Sequence, residues 1–597
     1  MRLPLTTLAC SLAVLGLHAQ TAGRLTGSVV DPSGAAVPKA QVSLLLHGSN
    51  SAVLVTLTTN EGIFSIGTIR PDFYDLTVQA EEFATAKILN VKIDPAAETS
   101  VPPIRLELAT SLQSVNVQVS VANVNTSNFE VDESITRSQI DELPAPDRQI
   151  SSLFQTQTGV TLGFGMTING MRTSSTNVSY DGINIQDNLV RTNSLTFLPN
   201  KITIDQVQEV TINTSDPNPA LGNGASHVIL VTPSGTNSYH ASLYWYNRNA
   251  DFAANDWFSN QSGVARAPLN LNQFGGTFGG PIKRDKLLFY FNYEGFRNVT
   301  SSPRDNTVLT APARAGLLTY KTTAGTTQQL NVLQAAGLSA DPTIAGILKR
   351  LPLPNNNNVG DGLNTAGYEI NQPFNENRKT ISGKVDYYLS PKNLFSGSFN
   401  YTDDVLRPDV LNGYFGGPVA LQNNNSGKLL SASWRWTPTA RLSNELRGGS
   451  NFAAVPFTVT GQQPAYYLTA FVSLPELTPG LFPQGRNSRV FSLQDNDTYV
   501  RGKHTIYFGY QAYVLHEHPY QPNGNVVPDY SLGLATAAPF HFTVNNIPGT
   551  QASYVQTANN LLATLAGVIG SYSQAFNVTS QTSGYVPNAL STNNLVL

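Results

Sequence analysis

The chain contains a series of segments in which apolar and polar residues alternate. The clearest lies at 286–297, where two sets of side chains share opposite faces: Leu287, Phe289, Phe291 and Tyr293 on one, Leu288, Tyr290, Asn292 and Glu294 on the other. Successive strand side chains point to opposite faces, so one face is apolar and the other becomes polar. The pattern predicts strands at 239–248, 272–281, 286–297, 379–389, 394–403, 427–437, 440–453, 488–500 and 503–515.

The connections between these strands are alternately long and short. Long connections occupy 249–271, 298–378, 404–426 and 454–487, and short ones occupy 282–285, 390–393, 438–439 and 501–502. An outer-membrane barrel has short periplasmic turns and longer outer loops, whereas a soluble sandwich has no reason to place its long loops at one end. The sequence therefore predicts an antiparallel transmembrane β-barrel over residues 239–597.

Polar residues within the strands indicate which face lines the lumen. A Lys or Arg that faces mid-bilayer lipid costs about 2–4 kcal/mol. Lys384 and Arg435 should therefore face the lumen, as should Asn292 and Glu294, and the odd-numbered aromatics of 286–297 should face lipid.

Composition agrees with a barrel. Charged residues make up 13% of the 597 residues and mean hydropathy is −0.14, where a typical soluble domain has roughly 25% charged residues. The net charge of −3 gives no indication of nucleic-acid binding. Beyond the N-terminus no apolar run reaches the 18 residues of a membrane helix, so a span would have to be a closed barrel.

The first 19 residues are predicted to be a secretory signal peptide. Arg2 precedes an apolar run from Leu3 to Leu17, and Ala19 offers a small residue at the cut. Cleavage as a lipoprotein at Cys10 is the alternative. Cys10 is the only cysteine, so removal of this segment leaves no disulfide or thiol chemistry.

Residues 22–108 are predicted to form a small β-sandwich, because short strands alternate with turn residues. The unit resembles the carboxypeptidase regulatory-like domain, a transthyretin-like fold. The matching positions are Gly27, Val29, Asp31, Gly34, Ala40, Val42, Gly62, Phe64, Pro71, Tyr74 and Val78. Asp72 stands where the family usually has Gly. No histidine begins the His-x-x-Glu pair of a zinc carboxypeptidase, so the resemblance covers an accessory domain.

Residues 125–238 form a second predicted unit, with a short helix at Ser134–Leu143. The phrases Asn169–Arg172, Tyr180–Gly182 and Val231–Asn237 occur in the order typical of a plug domain. The unit resembles the plug of TonB-dependent receptors, and in particular the Oar-like group, which carries the same domain in front. Pro233 replaces the usual Lys.

The resemblance implies a receptor and transporter in the outer membrane of a Gram-negative-type bacterium. Its partners would be the inner-membrane TonB complex, outer-membrane lipid and an extracellular ligand, a glycan or peptide being possible classes. The plug motif residues are Asn169, Gly170, Arg172, Asp181 and Gly182. Asn169, Arg172 and Asp181 either hold the plug inside the barrel through buried polar pairs or shape turns within the plug.

The linker at 109–124 contains a strictly alternating segment at 114–121. Its apolar set, Val115, Val117, Val119 and Val121, is a candidate TonB contact by strand addition. The alternative is a last sandwich strand or a plain linker strand.

No arrangement in the sequence predicts an enzyme, a cofactor or a metal site. Gly275–Gly280 lacks the Lys-Ser/Thr ending of a phosphate loop, and glycines in a barrel strand more often allow a bend or close packing. His516–His518 is either a metal or ligand contact or a solvated loop.

The fold class is thus mainly β: a transthyretin-like sandwich, an α+β plug and an incomplete antiparallel barrel. A plugged transporter has about 22 strands, and nine are found, with the start of another near Ala589–Leu597. The expectation is a C-terminally truncated chain or fragment. The alternative function is a secreted or surface β-rich, carbohydrate-binding adhesin.

Overall fold

The computed structural model describes most of the chain after the predicted signal peptide. The described residues are 22–49, 51–95, 97–108, 115–116, 131–143, 148–161, 167–191, 198–215, 221–222, 224–255, 257, 260, 265–407, 421–459, 466–472, 484–522, 527–535, 538, 540–578, 582–587, 590–592 and 595–596. The signal peptide and most of the predicted 109–124 linker lie outside them.

The N-terminal unit is a two-layer β-sandwich, as predicted. Its strands are β1 Gly23–Val30, β2 Gln41–Leu46, β3 Ala52–Leu57, β4 Ile63–Ile69, β5 Asp72–Gln79, β6 Ala86–Ile93, β7 Glu98–Ser100, β8 Ile104–Arg105 and β9 Val115–Asn116. One layer has the order β4-β1-β7 with β8 beside β1, and the other has the order β3-β2-β5-β6-β9. Apolar residues at alternating positions, such as Leu25, Val42 and Leu44, meet between the layers.

The second unit is a mixed sheet with short helices. Its elements are β10 Val131–Thr136, α1 Arg137–Glu142, β11 Val160–Thr161, β12 Thr167–Ile168, β13 Thr176–Tyr180, β14 Ile183–Asn184, β15 Glu209–Ser215 and β16 Ser226–Val231, with 3₁₀ turns at Ile150–Thr156, Thr173–Ser175 and Ile204–Gln206. The main sheet runs β10-β15-β16-β13-β14. Its apolar core includes Val178, Tyr180, Val210 and Leu230.

The helix of this unit is shorter than the sequence predicts. The prediction placed its start at Ser134, but Ser134 to Thr136 pair with β15 as a strand. Thr136 is the N-cap and forms a capping box with Gln139. A capping box stabilises a helix start, so the helix begins at Arg137.

The remaining strands, in chain order, are β17 His240–Asn249, β18 Leu269–Lys283, β19 Leu287–Leu309, β20 Leu317–Lys321, β21 Thr327–Asn331, β22 Thr365–Ser390, β23 Asn393–Arg407, β24 Leu421–Thr439, β25 Leu442–Val459, β26 Tyr467–Thr469, β27 Gln484–Arg501, β28 His504–Pro522, β29 Asp529–Leu532, β30 Ile569–Ser573, β31 Phe576–Val578, β32 Tyr585–Pro587, β33 Leu590–Thr592 and β34 Leu595–Val596. The helices are α2 Ala311–Arg314, α3 Val332–Ala336, α4 Pro342–Arg350 and α5 Ser553–Leu565, with a 3₁₀ turn at Ala250–Phe252.

All nine predicted barrel strands are present, and they form one continuous antiparallel wall. The order is β17-β18-β19-β22-β23-β24-β25-β27-β28, with β33 and β34 both on the free edge of β28. The sheet runs from β17 to β28 without returning, so within the described residues the wall is open, as expected. No described helix is long and apolar enough to serve as a membrane span.

The two faces of the wall are as predicted. Asn292 and Glu294 are buried on the inner face, while Phe291 is 46% exposed on the outer face. Lys384 and Arg435 are also buried inside, where their side chains donate to main-chain carbonyls. The glycines of β18 allow close packing, since a Cβ on Gly275 would lie 2.3 Å from a neighbouring carbonyl.

Several strands extend well past their predicted ends on the long-loop side. Strand β19 has 23 residues, which at about 3.3 Å per residue spans roughly 75 Å. The hydrocarbon core of a bilayer is only about 30 Å thick. The β19–β22 hairpin therefore projects far beyond the membrane.

Two of the long connections and the segment that follows β28 fold together into one module, which we call the outer cap. It comprises residues 310–364, 466–472 and 527–578 of the described chain. Its buried core includes Leu318, Ile344, Leu468, Phe542 and Leu561, which come from three separate connections. The sequence predicts long loops at 298–378 and 454–487, but it predicts neither the part after β28 nor the common core.

Candidate functional site

The hairpin turn at Asp181–Gly182 joins β13 to β14 of the second unit, which we call the plug, and it lies against the lumen face of the barrel wall. Both residues have positive φ, 47° and 78°, and Tyr180 pairs with Ile183 across them. A two-residue turn with two positive φ angles is a type I′ turn, for which Asp-Gly is favoured. The carboxylate of Asp181 accepts hydrogen bonds from the Thr232 amide at 3.0 Å and the Thr232 hydroxyl at 2.5 Å.

The main-chain carbonyls of this turn meet the wall. Arg447 Nη1 donates to Asp181 O at 2.8 Å, and Ser431 Oγ donates to the same oxygen at 3.0 Å. Gln494 Nε2 donates to Gly182 O at 2.6 Å. Side chains from three wall strands thus contact one turn of the plug, while the Asp181 carboxylate bonds within the plug.

The Asn169–Gly170 turn also has positive φ angles, 48° and 70°, but its interactions lie within the second unit. Asn169 Nδ2 donates to Thr214 O at 2.8 Å. Arg172 is exposed and is the N-cap residue of the Thr173–Ser175 turn. Of the predicted motif residues, the structure brings Asp181 and Gly182 to the wall.

A buried ionic cluster adds a second link between plug and wall. Lys201 Nζ lies 2.9 Å from Glu376 Oε1 and 2.8 Å from Asp404 Oδ2. Arg378 Nη1 lies 3.1 Å from the same glutamate oxygen. Asp404 is fully buried, so its charge is stabilised chiefly by these cations.

A third link joins the plug to the first strands of the wall. Arg148 is paired with Asp205 within the plug and lies 3.8 Å from Glu294 Oε2 of β19. Tyr244 of β17 donates to the same glutamate oxygen at 2.8 Å, and the Arg148 guanidinium lies 4.6 Å from the centre of the Tyr244 ring. A buried carboxylate is thereby held by a cation and a hydroxyl.

Lys201, Arg148 and Asp404 belong to none of the sequence motifs described above. Asp404 could have been noticed, because it continues the polar face that Asn400 and Thr402 form on β23. Nothing in the local pattern distinguishes Lys201 or Arg148 from solvated cations. Their partners are distant in sequence, so only the fold pairs them.

Within the described part of the chain, two cavities with several polar lining residues border the plug. The larger, about 160 Å³, lies between the plug and strands β27 and β28 and is lined by residues including His227, Arg191, Asn184, Gln494 and Tyr513. His227 is 4% exposed, and its Nε2 atom has no hydrogen-bond partner among the described residues. Burial lowers the pKa of His227 from 6.5 to about 4, so the imidazole is neutral at pH 7.

The remaining sequence candidates lie elsewhere. Val115 belongs to β9, which pairs in parallel with Ala86–Lys87 at the edge of the sandwich. The other three valines of the candidate TonB contact lie outside the described residues. His516–His518 lies within β28, and Glu517 accepts a hydrogen bond from Ser488 at 2.6 Å. Among the described residues no three His, Cys, Asp or Glu side chains are grouped as metal ligands would be.

The wall and the inserted plug together define an outer-membrane barrel. Residues 231–588 match the outer membrane beta barrel domain family, and the chain belongs to that family. Residues 24–107 match the carboxypeptidase regulatory-like domain. The chain is therefore a β-barrel protein of the Gram-negative outer membrane that carries a carboxypeptidase regulatory-like domain, as predicted.

One curated relative is the TonB-dependent transporter Oar of Myxococcus xanthus, which is 25% identical over 283 residues. The match covers 45% of this chain and 26% of Oar, so the chain spans only part of that relative's length. Among solved structures, the outer membrane transporter YddB of Escherichia coli has 12% identity and a TM-score of 0.42, over 67% of this chain and 50% of YddB. The ferric-catecholate import receptor Fiu of E. coli has 9% identity and a TM-score of 0.35, over 79% of this chain and 66% of Fiu.

Proposed function

We propose that the chain acts as a TonB-dependent receptor and transporter that takes up an extracellular ligand with energy delivered through TonB. The observation that carries the proposal is the attachment of a folded plug to the lumen face of the wall at Asp181–Gly182. A plug held by a few hydrogen bonds and ion pairs can be shifted by a pulling force without unfolding the barrel. The proposal assigns no catalytic step to the chain.

The outer cap is the first part of the molecule that an extracellular ligand meets. Tyr466, Tyr530 and Tyr572 form a chain of ring contacts on it, with centroid separations of 5.7 Å and 5.1 Å. Tyr572 is 51% exposed. Aromatic rings beside polar groups suit the flat faces of sugars as well as peptide side chains, so we propose glycans or peptides as ligand classes.

The TonB contact is proposed to lie in the 114–121 segment. Strand addition uses main-chain hydrogen bonds and alternate side chains, which the four valines at odd positions would supply. In this proposal the segment lies between the sandwich and the plug, where a pull would reach the plug directly.

Site-specific cross-linking tests this assignment. The only cysteine in the sequence is Cys10, so Val117→Cys provides a single reporter in a Cys10→Ser background. We expect a disulfide with a cysteine placed in the periplasmic domain of TonB, and no disulfide from a control cysteine at Asn90 on the sandwich. Equal yields at Val117 and Asn90 would contradict the contact.

Fractionation separates the transporter from the adhesin alternative. A barrel is recovered with outer membranes and migrates differently in gels before and after heating. Recovery as a soluble protein without detergent would contradict the transporter proposal and favour a surface or secreted adhesin.

A further inference from the structure

The sandwich is docked on the inner face of the wall, at the end where the connections are short. Its apolar core continues into the wall through Leu288, Tyr388 and Leu394, which are buried in the same cluster as the sandwich core. Leu288 closely follows the turn between β18 and β19, and the other two flank the turn between β22 and β23. The contact therefore lies at the rim of the lumen, on the side of the plug where the connections between wall strands are short.

A buried ion pair fastens the sandwich to this rim. Arg70 Nη1 lies 2.9 Å from Asp386 Oδ2 of β22, and the two side chains are 7% and 1% exposed. Arg70 also pairs with Asp72, the residue that departs from the Gly expected by family resemblance. Arg435 of β24 donates to Val53 O at 3.2 Å, which engages another wall strand.

Two contacts reach the short turns themselves, and one reaches the plug. Ser49 Oγ donates to Asp285 Oδ1 at 2.7 Å, and Thr56 Oγ1 donates to Ala440 O at 2.8 Å. Lys92 Nζ lies 2.8 Å from Glu209 Oε1 of the plug strand β15. The sandwich is thus held at separate points around the rim and against the plug above it.

The space between the sandwich, the plug and the wall is small, and most of the residues that line it are polar. A cavity of about 40 Å³ is lined by residues that include Arg70, Asp181, Ser398, Arg435 and Arg447. This volume has room for only a few waters. A solute that passes the plug at this point meets the sandwich directly.

We propose that the sandwich is a second closure of the part of the lumen that strands β19 to β27 border, and that it must leave the rim before a solute larger than water can pass there. The proposal rests on the transport function for its purpose, but docking and undocking are properties of the chain alone. The interface uses ion pairs and hydrogen bonds beside a small apolar contact, and polar interfaces between domains permit relative motion.

Substitution of a single glycine, Gly67, should prevent this docking by a steric clash. A Cβ on Gly67 of β4 would lie 2.3 Å from Thr498 Oγ1, 2.7 Å from Thr498 Cβ and 3.0 Å from Ser443 Oγ. All these nearest atoms belong to the wall, and none belongs to the sandwich. Gly67→Val should therefore obstruct docking while the β-branched residue remains compatible with a strand.

The experiment measures how fast a reagent reaches a thiol in this cavity. The full chain is purified from outer membranes with Cys10→Ser and Ser398→Cys, and the rate of modification by methanethiosulfonate ethylammonium is measured. We expect the Gly67→Val variant to react at least tenfold faster than the parent. Gln41→Val, an exposed substitution on β2 of the same sandwich, should leave the rate unchanged.

A second substitution that removes the clash distinguishes undocking of the sandwich from its unfolding. Adding Thr498→Gly to Gly67→Val removes the two atoms that lie nearest to the new side chain, and we expect the slow rate to return. Equal rates in the parent and Gly67→Val would overturn the closure, and so would a fast rate that Thr498→Gly does not reverse. Neither result depends on a ligand or on TonB, so failure here would leave the transport proposal standing.

Discussion

The guanidinium of Arg447 on the barrel wall donates a hydrogen bond to the main-chain carbonyl of Asp181 in the plug, at 2.8 Å. Arg447 is itself oriented by Glu445, whose Oε1 lies 2.6 Å from Nη2. The bond is possible because the type I′ turn points its carbonyls outward while the Asp181 carboxylate turns back to Thr232. A local turn preference thus positions a tertiary attachment.

Gly182→Ala should loosen the plug at this attachment. Gly182 has φ +78°, and a Cβ there would lie 2.7 Å from Arg447 Cδ. A side chain in the left-handed region costs about 1–2 kcal/mol, and the clash with Arg447 adds to it. Hydrogen exchange of β13 and β14 amides should become faster.

The matched control for that substitution is Gly170→Ala. Gly170 also has positive φ, 70°, but nothing lies within 4 Å of its missing Cβ. Gly170→Ala should therefore show the free-energy cost of a positive φ without a steric clash. If Gly170→Ala speeds exchange in β13 and β14 as much as Gly182→Ala does, contact with Arg447 is not what holds the turn.

Thr232→Val should destabilise the turn from inside the plug. The Thr232 hydroxyl donates to the buried Asp181 carboxylate at 2.5 Å, and loss of a hydrogen bond to a charged group costs about 1.5–3 kcal/mol. Thr211→Val removes a neutral hydroxyl pair with Ser134 and should cost about 1 kcal/mol. Protection factors of plug amides measure the loss of stability in both variants. A smaller loss for Thr232→Val than for Thr211→Val would be evidence against a charged acceptor.

Lys201→Met should strongly weaken the hold of the wall on the plug. The substitution leaves Asp404 and Glu376 buried without their shared cation, and breaking a buried pair costs about 3–5 kcal/mol. Protease should cut the plug at a lower concentration than in the parent. Lys349→Met, on the exposed face of α4, is the control, and equal protease sensitivity in the two variants would refute the role of Lys201.

Acid should destabilise the plug through His227. The pKa of the buried imidazole is lowered from 6.5 to about 4, so below pH 6.5 the unfolded chain takes up a proton that the folded chain does not. The contribution of neutral His227 to the free energy of unfolding is fully present above pH 6.5 and is lost as the pH falls towards 4. The total loss is about 3 kcal/mol. In the parent, the protection factors of the β16 amides should be lower at pH 4.5 than at pH 7. His227→Gln should remove that part of the pH dependence, and an unchanged profile would show that another group is responsible.

The barrel strands could be predicted because their signal is local. A strand between lipid and lumen must alternate, so Lys384 and Arg435 indicate the inner face without any knowledge of their neighbours. The same reasoning missed the outer cap, because Leu318, Leu468 and Phe542 form a core only after three distant segments meet.

The sequence by itself determined the alternating wall, its inner and outer faces and the Asp181–Gly182 turn, because period-two patterning and backbone preference act over a few residues. Only the tertiary structure decided which wall residues hold the plug, and that the sandwich sits beneath it at the rim. Arg70 and Asp386 are 316 positions apart, and Lys201 and Glu376 are 175 apart. No local pattern relates such pairs; burial removes both charges from water, and a stable fold must then place them together.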